Sequence, residues 1–252
     1  MSRRRALAAL AVLTLGACGT GGGAAPAPTD ELTVLAAASL REVFEDLGEQ
    51  FTAQHPGTEV TFSFAGSADL VAQLDAGAPA DVLATADETT MARAVADGTV
   101  TGEPQVFAEN ALTLVVPAGN PAGVTGLDDA GLAGADLVVC APQVPCGAAA
   151  QTLAGNLGLA LTPVSEENSV TDVLGKVTSG QAEAGLVYST DAVVAGDAVE
   201  VVPVAGTEEV VNRYPVAVTS DADDETLAQA WLDLVLGPEG RDALTAAGFG
   251  TP

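Results

Sequence analysis

Two serines occupy equivalent positions in successive strand–turn–helix patterns near the start of the 252-residue chain. Ser39 follows an apolar strand pattern and three alanines, and an amphipathic helix pattern begins at Leu40. Ser67 follows a second strand pattern and an Ala-Gly pair, and it too precedes an apolar helix. Hydroxyls and free backbone N–H groups at two helix starts indicate a neutral anion site, which offers donors and helix dipoles but no cationic side chain.

The same serines predict helix caps. Ser39 stands at the expected N-cap of the first helix, and Glu42 three residues later completes a Ser-x-x-Glu capping box. Ser67 is expected to cap the second helix. Because a capping hydroxyl can still donate its own proton to an anion, spacing alone leaves open whether the serines cap only or also bind.

Three positions in the second half of the chain offer further donors. Cys146 lies in a Val-Pro-Cys-Gly segment before a helix pattern, and Val170 opens another helix after Ser169. Both would present backbone N–H groups that have no intrahelical acceptor. Tyr188 ends a strand pattern and could place its phenol at the same sheet edge; the alternative is a partly buried tyrosine with a backbone partner.

Strand and helix patterns alternate from Glu31 onward, which predicts an α/β fold of mainly parallel sheets flanked by helices. Ligands bind such sheets at the carboxyl edge, where helix starts converge. The alternation begins again at Asp136, and two successive α/β sets in a chain of this length predict two lobes.

The composition excludes several classes of partner. The formal net charge is -26 and aromatic residues make up 4% of the chain. Such an acidic protein is a poor candidate for binding nucleic acid or an anionic membrane surface. It also repels small anions at long range, so an anion site must rely on local donors.

The N-terminus has the pattern of an export signal. Residues 1–17 combine Arg3 to Arg5 with a short apolar run that cannot span a bilayer. Leu15-Gly16-Ala17-Cys18 resembles the lipobox of bacterial lipoproteins, which implies lipidation at Cys18 and a protein anchored to the outer face of the cell membrane; the alternative is an ordinary signal peptide. Residues 18–30 are rich in Gly, Ala and Pro and predict a flexible tether.

Two cysteines remain after Cys18. Cys140 and Cys146 are close in sequence in a chain expected to be exported, which favours a disulfide between them. Two free thiols and a metal site are the alternatives. Metal binding lacks partners in the pattern, since the single histidine, His55, lies in a Gln-His-Pro-Gly turn.

An enzyme is the rival functional class. A serine nucleophile needs a base, and His55 is predicted on a surface turn at the far end of the first helix. The sequence has no nucleophile elbow and no Walker or dinucleotide glycine pattern, so we expect neither catalysis nor a cofactor. A signalling or adhesion lipoprotein is a third alternative.

Six short motifs in order give the chain a family resemblance, from about Leu32 to Phe249. They are Ala-Ala-Ala-Ser-Leu at 36–40, Phe-Ala-Gly-Ser at 64–67, Gly-Ala-Pro-Ala-Asp-Val at 77–82 followed by Ala86-Asp87, Val-Pro-Cys-Gly at 144–147, Gly-Leu-Val-Tyr-Ser-Thr-Asp-Ala at 185–192 and Tyr-Pro-Val-Ala-Val at 214–218. Together they resemble the molybdate-binding proteins of ABC importers.

The resemblance implies a two-lobed type II periplasmic-binding-protein fold with a tetrahedral oxyanion held between the lobes. Lobe 1 would span 31–110 plus 216–252 and lobe 2 would span 111–215, with Ala111–Val116 and Tyr214–Val218 as a two-strand hinge. The protein would be a monomer that delivers molybdate, and also tungstate, to an ABC permease. Another tetrahedral oxyanion, such as sulfate or phosphate, is the alternative ligand.

The resemblance also implies which atoms contact the oxyanion. They are the hydroxyls of Ser39, Ser67 and Tyr188 and the backbone N–H groups of Ser39, Ser67, Cys146 and Val170. The chain departs from the family pattern at Cys146, where many relatives have alanine, and at Gly66, where relatives often have serine. The first change keeps the backbone donor, and the second is expected to loosen the turn without removing a ligand.

Overall fold

The computed structural model of the protein describes residues 30–252. The expected signal peptide, the lipidation site at Cys18 and the tether up to residue 29 lie outside this range. None of the helices in the described range combines the length and apolar character needed to cross a bilayer.

Strands and helices alternate along the described chain, as the sequence patterns predict. The strands are β1 (Asp30–Ala37), β2 (Thr58–Ala65), β3 (Val82–Ala84), β4 (Val100–Pro117), β5 (Leu137–Cys140), β6 (Ser165–Glu167), β7 (Ala184–Tyr188), β8 (Val199–Val202) and β9 (Val211–Thr219). The helices are α1 (Arg41–Gln54), α2 (Ser67–Asp75), α3 (Glu88–Asp97), α4 (Asp129–Leu132), α5 (Pro145–Leu157), α6 (Val170–Thr178), α7 (Ser189–Ala195), α8 (Glu225–Leu236) and α9 (Pro238–Ala246). Short 3-10 turns cover Ala38–Leu40, Gly196–Ala198 and Thr207–Glu209.

The strands form one mixed sheet in the order β2-β1-β3-β9-β4-β7-β5-β6, with β8 also paired to β4. We call β1, β2 and β3 with their helices the first wing, and β5, β6 and β7 with theirs the second wing. Pairing within each wing is parallel, whereas the pairs made by β4 and β9 with the wings and with each other are antiparallel. The parallel strands of each wing therefore send their carboxyl ends, and the helix starts that follow, toward a common edge.

Strand β4 connects the two wings and is much longer than the sequence predicts. It is 18 residues long, and its first half pairs with β9 while its second half pairs with β7 and β8. Only Ala111–Val116 has a strand pattern, because Gly102 and Pro104 are typical of a turn. The structure accommodates these two residues at a register shift between Thr101 and Gln105, where a proline can be tolerated in a strand.

Strand β1 is buried on both faces. Leu32 and Val34 join the main hydrophobic core, which also holds the aromatic cluster around Trp231. Leu35 faces the opposite way and packs with residues of α2 and α3, such as Leu70. A strand covered on both faces has a continuous apolar run in place of an alternating one, and it gives the turn that carries Ser39 a rigid base.

Candidate functional site

All five predicted donor positions line one small cavity between the two wings. Its volume is about 10 Å³, measured as the space open to the centre of a water-sized sphere. The first wing contributes the turns after β1 and β2, and the second wing contributes the starts of α5 and α6 and the end of β7. The residues that line it are uncharged: Ala37, Ala38, Ser39, Ala65, Gly66, Ser67, Ala86, Val144, Pro145, Cys146, Val170 and Tyr188.

Ser67 is almost completely buried at this cavity, with 1% of its surface exposed. The predicted cap is wrong, because the N-cap of α2 is Gly66 and Ser67 is the first helical residue, with no side-chain cap. Its Oγ instead accepts a hydrogen bond from the Ala86 N–H at 3.0 Å. Since the oxygen is the acceptor in that bond, the Ser67 hydroxyl proton remains available to an anion.

Ser39 does not cap α1, so the predicted Ser39–Glu42 capping box is also wrong. Ser39 lies in the 3-10 turn, and α1 begins two residues later with Leu40 as its N-cap and no side-chain cap. The physical reason is a competing partner: Ser39 Oγ lies 3.0 Å from the hydroxyl of Tyr214 on β9. Because the Tyr214 hydroxyl can be the donor in this bond, the Ser39 hydroxyl is free to donate a hydrogen bond to a ligand.

Tyr214 contacts two residues of the candidate site, Ser39 and Tyr188, although the sequence patterns did not single it out as a site residue. It is fully buried, and its ring packs edge-to-face against the ring of Tyr188 with centroids 5.9 Å apart. It therefore supports one donor from each wing. Its contact with Ser39 spans 175 residues of sequence, which no local pattern can reveal.

Tyr188 ends β7 and has 1% of its surface exposed. Within residues 30–252 its hydroxyl makes no hydrogen bond of normal geometry, although the Tyr214 hydroxyl is close enough to contribute to raising its pKa. Burial raises the pKa of Tyr188 well above the ordinary value for a phenol, so the group stays a proton donor at neutral pH. An unsatisfied buried hydroxyl is costly, and an oxyanion in the cavity would remove that cost.

The backbone donors come from two helix starts. Cys146 is the second residue of α5 and Val170 is the first residue of α6. Their N–H groups fall in the first turn, where no intrahelical acceptor exists. Ser169 caps α6 by accepting a hydrogen bond from the Asp172 N–H at 3.2 Å, so the start of this helix is well defined.

A disulfide joins Cys140 at the end of β5 to Cys146 in α5, with the Cα atoms 5.6 Å apart. The enclosed loop is tightly packed: a Cβ at Gly147 would lie 1.9 Å from the Ala141 carbonyl oxygen. Both features restrict the position of the Cys146 N–H. Within the described residues, no group of three or more His, Cys, Asp or Glu side chains is arranged to hold a metal ion.

Asp191 fixes the junction between β7 and α7. Its Oδ2 accepts a hydrogen bond from the Tyr188 N–H at 2.9 Å, and the residue is 5% exposed. Burial raises the pKa of Asp191 to about 7, although the hydrogen bond from the Tyr188 N–H by itself lowers this pKa. The carboxyl thus positions the backbone of Tyr188 while its own charge is poorly solvated.

These features define the chemistry that the cavity can perform. It provides hydroxyl and N–H donors from both wings, and none of the side chains of residues 30–252 that line it is charged. A small, fully ionised anion that offers only acceptor oxygens fits such a donor set. A protonated anion fits less well, because its own O–H needs an acceptor.

Comparison with known proteins agrees with this geometry. A family model described as bacterial extracellular solute-binding protein matches residues 32–250. The molybdate-binding protein ModA of Mycobacterium tuberculosis (strain H37Rv) is 43% identical over 251 residues, which cover 98% of this chain and 96% of the relative. The chain belongs to the ModA family of bacterial extracellular solute-binding proteins.

Other members of the ModA family match over most of their length. The molybdate-binding protein ModA of Escherichia coli (strain K12) is 33% identical over 240 residues, covering 90% of this chain and 91% of the relative. The solved structure of the periplasmic molybdate-binding protein of Azotobacter vinelandii has a TM-score of 0.74 at 24% identity, with 88% of this chain and 99% of that chain covered. The family resemblance of the sequence motifs and the predicted α/β binding-protein fold are thus confirmed.

Proposed function

We propose that this protein captures molybdate in the cavity between the wings and delivers it to an ABC permease. The observation that carries the proposal is the convergence of neutral donors from both wings on one uncharged cavity, with the Tyr188 hydroxyl buried there and unpartnered within residues 30–252. The relatives named as molybdate-binding proteins support the choice of ligand.

Seven donors would hold the four oxygens of the ion. They are the hydroxyls of Ser39, Ser67 and Tyr188 and the backbone N–H groups of Ser39, Ser67, Cys146 and Val170. Hydrogen bonds to a charged group contribute about 1.5–3 kcal/mol each. Seven such bonds, reduced by desolvation and by the cost of ordering the wings, are compatible with sub-micromolar affinity, which requires about −8 kcal/mol or more.

The wings correspond to two lobes in this proposal. Lobe 1 spans 31–110 plus 216–252, lobe 2 spans 111–215, and β4 and β9 cross between them as the hinge. The ligand contacts both lobes only when they are closed, so it shifts the population toward the closed state. The permease would then recognise the closed pair of lobe surfaces, on a protein that acts as a monomer.

Residues 1–30 determine where the protein acts. The export signal over residues 1–17, lipidation at Cys18 and a flexible tether would hold the folded body at the outer face of the cell membrane. This placement suits a protein that supplies a membrane permease, and it agrees with the extracellular solute-binding family to which the chain belongs.

Calorimetric titration of the purified protein with molybdate, tungstate, sulfate and phosphate tests the proposed ligand. We expect sub-micromolar binding of molybdate and tungstate, whose sizes are similar, and much weaker binding of the other two ions. Tighter binding of sulfate or phosphate would identify another oxyanion as the ligand, and no heat with any of the four would refute oxyanion binding.

Serine variants test the site within the same experiment. Ser39→Ala and Ser67→Ala each remove one hydroxyl donor, so the molybdate affinity should fall about tenfold to a hundredfold in each. Ser63→Ala is the matched control, because Ser63 lies on β2 and is absent from the cavity lining. Equal affinities in all three variants would refute the assignment of the site.

A further inference from the structure

Asn110 is a buried amide in the interior of β4, the strand that connects the two wings. Only 5% of its surface is exposed, and its register partner on β9 is Asn212. Asparagine is depleted in strands, and a buried amide is costly unless its polar atoms have hydrogen-bond partners. The side chain of Asn110 is therefore explained by the partners that it has.

Both ends of the Asn110 amide bind the start of α7. Its Nδ2 donates a hydrogen bond to Thr190 Oγ1 at 2.8 Å, and its Oδ1 accepts one from Ser189 Oγ at 3.0 Å. The same oxygen accepts a hydrogen bond from the N–H of Ala111, the next residue of β4, at 3.0 Å. These three bonds fix the orientation of the amide, and they join the crossing strand to a helix of the second wing.

The residue just before this helix start is Tyr188, which provides the second-wing hydroxyl of the cavity. The register partner of Tyr188 on β4 is Leu112, two residues beyond Asn110. The pairing with β4 thus restrains Tyr188 itself, and Asn110 restrains the chain immediately after it. Because the Tyr188 hydroxyl makes no hydrogen bond of normal geometry within residues 30–252, the direction of the phenol depends on how its backbone is held.

Asn110 also lies close to Tyr214 on β9. Burial raises the pKa of the Tyr214 hydroxyl, and the Ser39 hydroxyl and the Asn110 amide both act against that rise. The ring of Tyr214 packs against that of Tyr188. The amide of Asn110 thus lies between the two elements that hold the Tyr188 ring, the start of α7 and the ring of Tyr214.

We propose that Asn110 is a positioning residue for molybdate binding: from the crossing strand it fixes the start of α7 and thereby directs the Tyr188 hydroxyl into the cavity. Asn110 is absent from the cavity lining, so it acts through Tyr188 and not on the ion. This inference rests on the proposed function. A residue that only stabilised the fold would have no effect on affinity that depends on the Tyr188 hydroxyl.

A double-mutant cycle separates the two roles. Asn110→Ala is made in the wild type and in Tyr188→Phe, and each protein is titrated with molybdate by calorimetry. Asn110→Ala should weaken binding about tenfold in the wild type, but less than about twofold where the Tyr188 hydroxyl is already absent. Urea denaturation of the ligand-free proteins measures the accompanying change in stability.

Two variants of Thr190 repeat the test without altering the crossing strand. Thr190→Val removes the acceptor of the Asn110 amide, so it should also weaken binding, and only where the Tyr188 hydroxyl is present. Thr190→Ser keeps the acceptor oxygen and should restore the affinity nearly to that of the wild type. These variants decide the question even if Asn110→Ala does not fold.

Asn212→Ala is the matched control. The side chain of Asn212 is similarly buried on the paired strand, but it donates to the carbonyl oxygen of Ala86 at 2.9 Å and not to α7. Its loss should therefore change the affinity by the same factor with and without the Tyr188 hydroxyl.

The possible failures are distinguishable. Wild-type affinity in Asn110→Ala and Thr190→Val would overturn the positioning role while leaving the proposed function intact. An equal loss of affinity with and without the Tyr188 hydroxyl would assign Asn110 to the fold of the crossing, and would also overturn it. Absence of molybdate binding by the wild type would overturn the proposed function and the inference together.

Discussion

Tyr188 carries a hydroxyl that the protein buries without a partner among residues 30–252. Removing it in Tyr188→Phe should change affinity and stability in opposite directions. Molybdate binding should weaken by about 1.5–3 kcal/mol, the contribution of a hydrogen bond to a charged group. The ligand-free protein should be as stable as the wild type or more so, because a buried unsatisfied group is removed. Calorimetry and urea denaturation give the two values.

Tyr214→Phe is the control for that experiment. The hydroxyl of Tyr214 is equally buried but has a partner in Ser39. Its removal should therefore lower ligand-free stability by about 1 kcal/mol, the usual net contribution of such a bond. If both tyrosine variants lost stability to the same extent, the Tyr188 hydroxyl would have a partner in the free protein and its assignment as a ligand donor would be wrong.

Asp191 predicts a pH dependence of stability. Burial raises its pKa from 3.8 to about 7, so the folded protein holds this proton more tightly than the unfolded chain does. Ionisation of the group therefore has no destabilising effect below about pH 4. The free energy of unfolding falls as the pH rises from about 4 to 7, because the unfolded chain ionises this carboxyl first. Above about pH 7 the loss is complete and amounts to about 4 kcal/mol, at 1.36 kcal/mol per pKa unit.

Asp191→Asn isolates this contribution, because an amide oxygen can still accept the Tyr188 N–H. The free energy of unfolding of the variant minus that of the wild type should increase from pH 4 to pH 8. The other acidic residues affect both proteins alike and cancel in the difference. A difference that stays constant with pH would mean that Asp191 titrates normally in the folded protein.

The serines show what the sequence could and could not predict about single residues. The small residues around Ser39 and Ser67 correctly indicated that both positions lie at one cavity. The predicted caps were wrong because each hydroxyl has a partner distant in sequence, Tyr214 for Ser39 and Ala86 for Ser67. At Ser169 the hydroxyl has only local partners, and the helix begins at Val170 as the sequence pattern predicts.

At the scale of elements, the disulfide restrains the loop between β5 and α5. Replacing Cys140 and Cys146 by serine should lower the free energy of unfolding by about 2 kcal/mol, the amount expected for so short a loop. Molybdate affinity should also fall, because the Cys146 N–H follows directly on the released loop. Urea denaturation and calorimetry of the double variant measure both effects. Unchanged affinity would show that the loop is positioned without the disulfide.

Strand β4 marks the limit of element prediction from this sequence. Elements with a continuous apolar pattern were predicted more closely: β7 ends at Tyr188, where the sequence pattern places the end of a strand. The first half of β4 was missed because Gly102 and Pro104 interrupt its pattern. Its pairing with β9 depends on residues more than 100 positions away, so the crossing between the wings is a tertiary feature that no local pattern contains.

At the scale of the whole molecule, charge opposes the proposed ligand. The chain has a formal net charge of -26, whereas the cavity lining is uncharged. The association rate of molybdate should therefore increase when the ionic strength is raised from about 0.01 M to 0.15 M, since screening shortens the Debye length from about 30 Å to 8 Å. Stopped-flow measurements with added salt, and with sucrose as an uncharged control, test this.

A decrease in the association rate with salt would point to a local attractive potential. Arg41 is the nearest basic residue in sequence to Ser39, and its guanidinium carbon lies 4.5 Å from the ring centre of Phe64. If Arg41 attracted the ion, Arg41→Gln would reverse the salt dependence. We expect the global charge to dominate, because the rest of the chain is so strongly acidic.

The location of the bound ion is the most direct test of the account. Crystals grown with molybdate can be measured above and below the molybdenum absorption edge, and the difference in anomalous scattering locates the metal without reference to any proposed site. We predict one strong peak in the cavity, within hydrogen-bonded reach of the hydroxyls of Ser39, Ser67 and Tyr188. A peak elsewhere, or no peak in crystals whose solution binds molybdate tightly, would contradict the account.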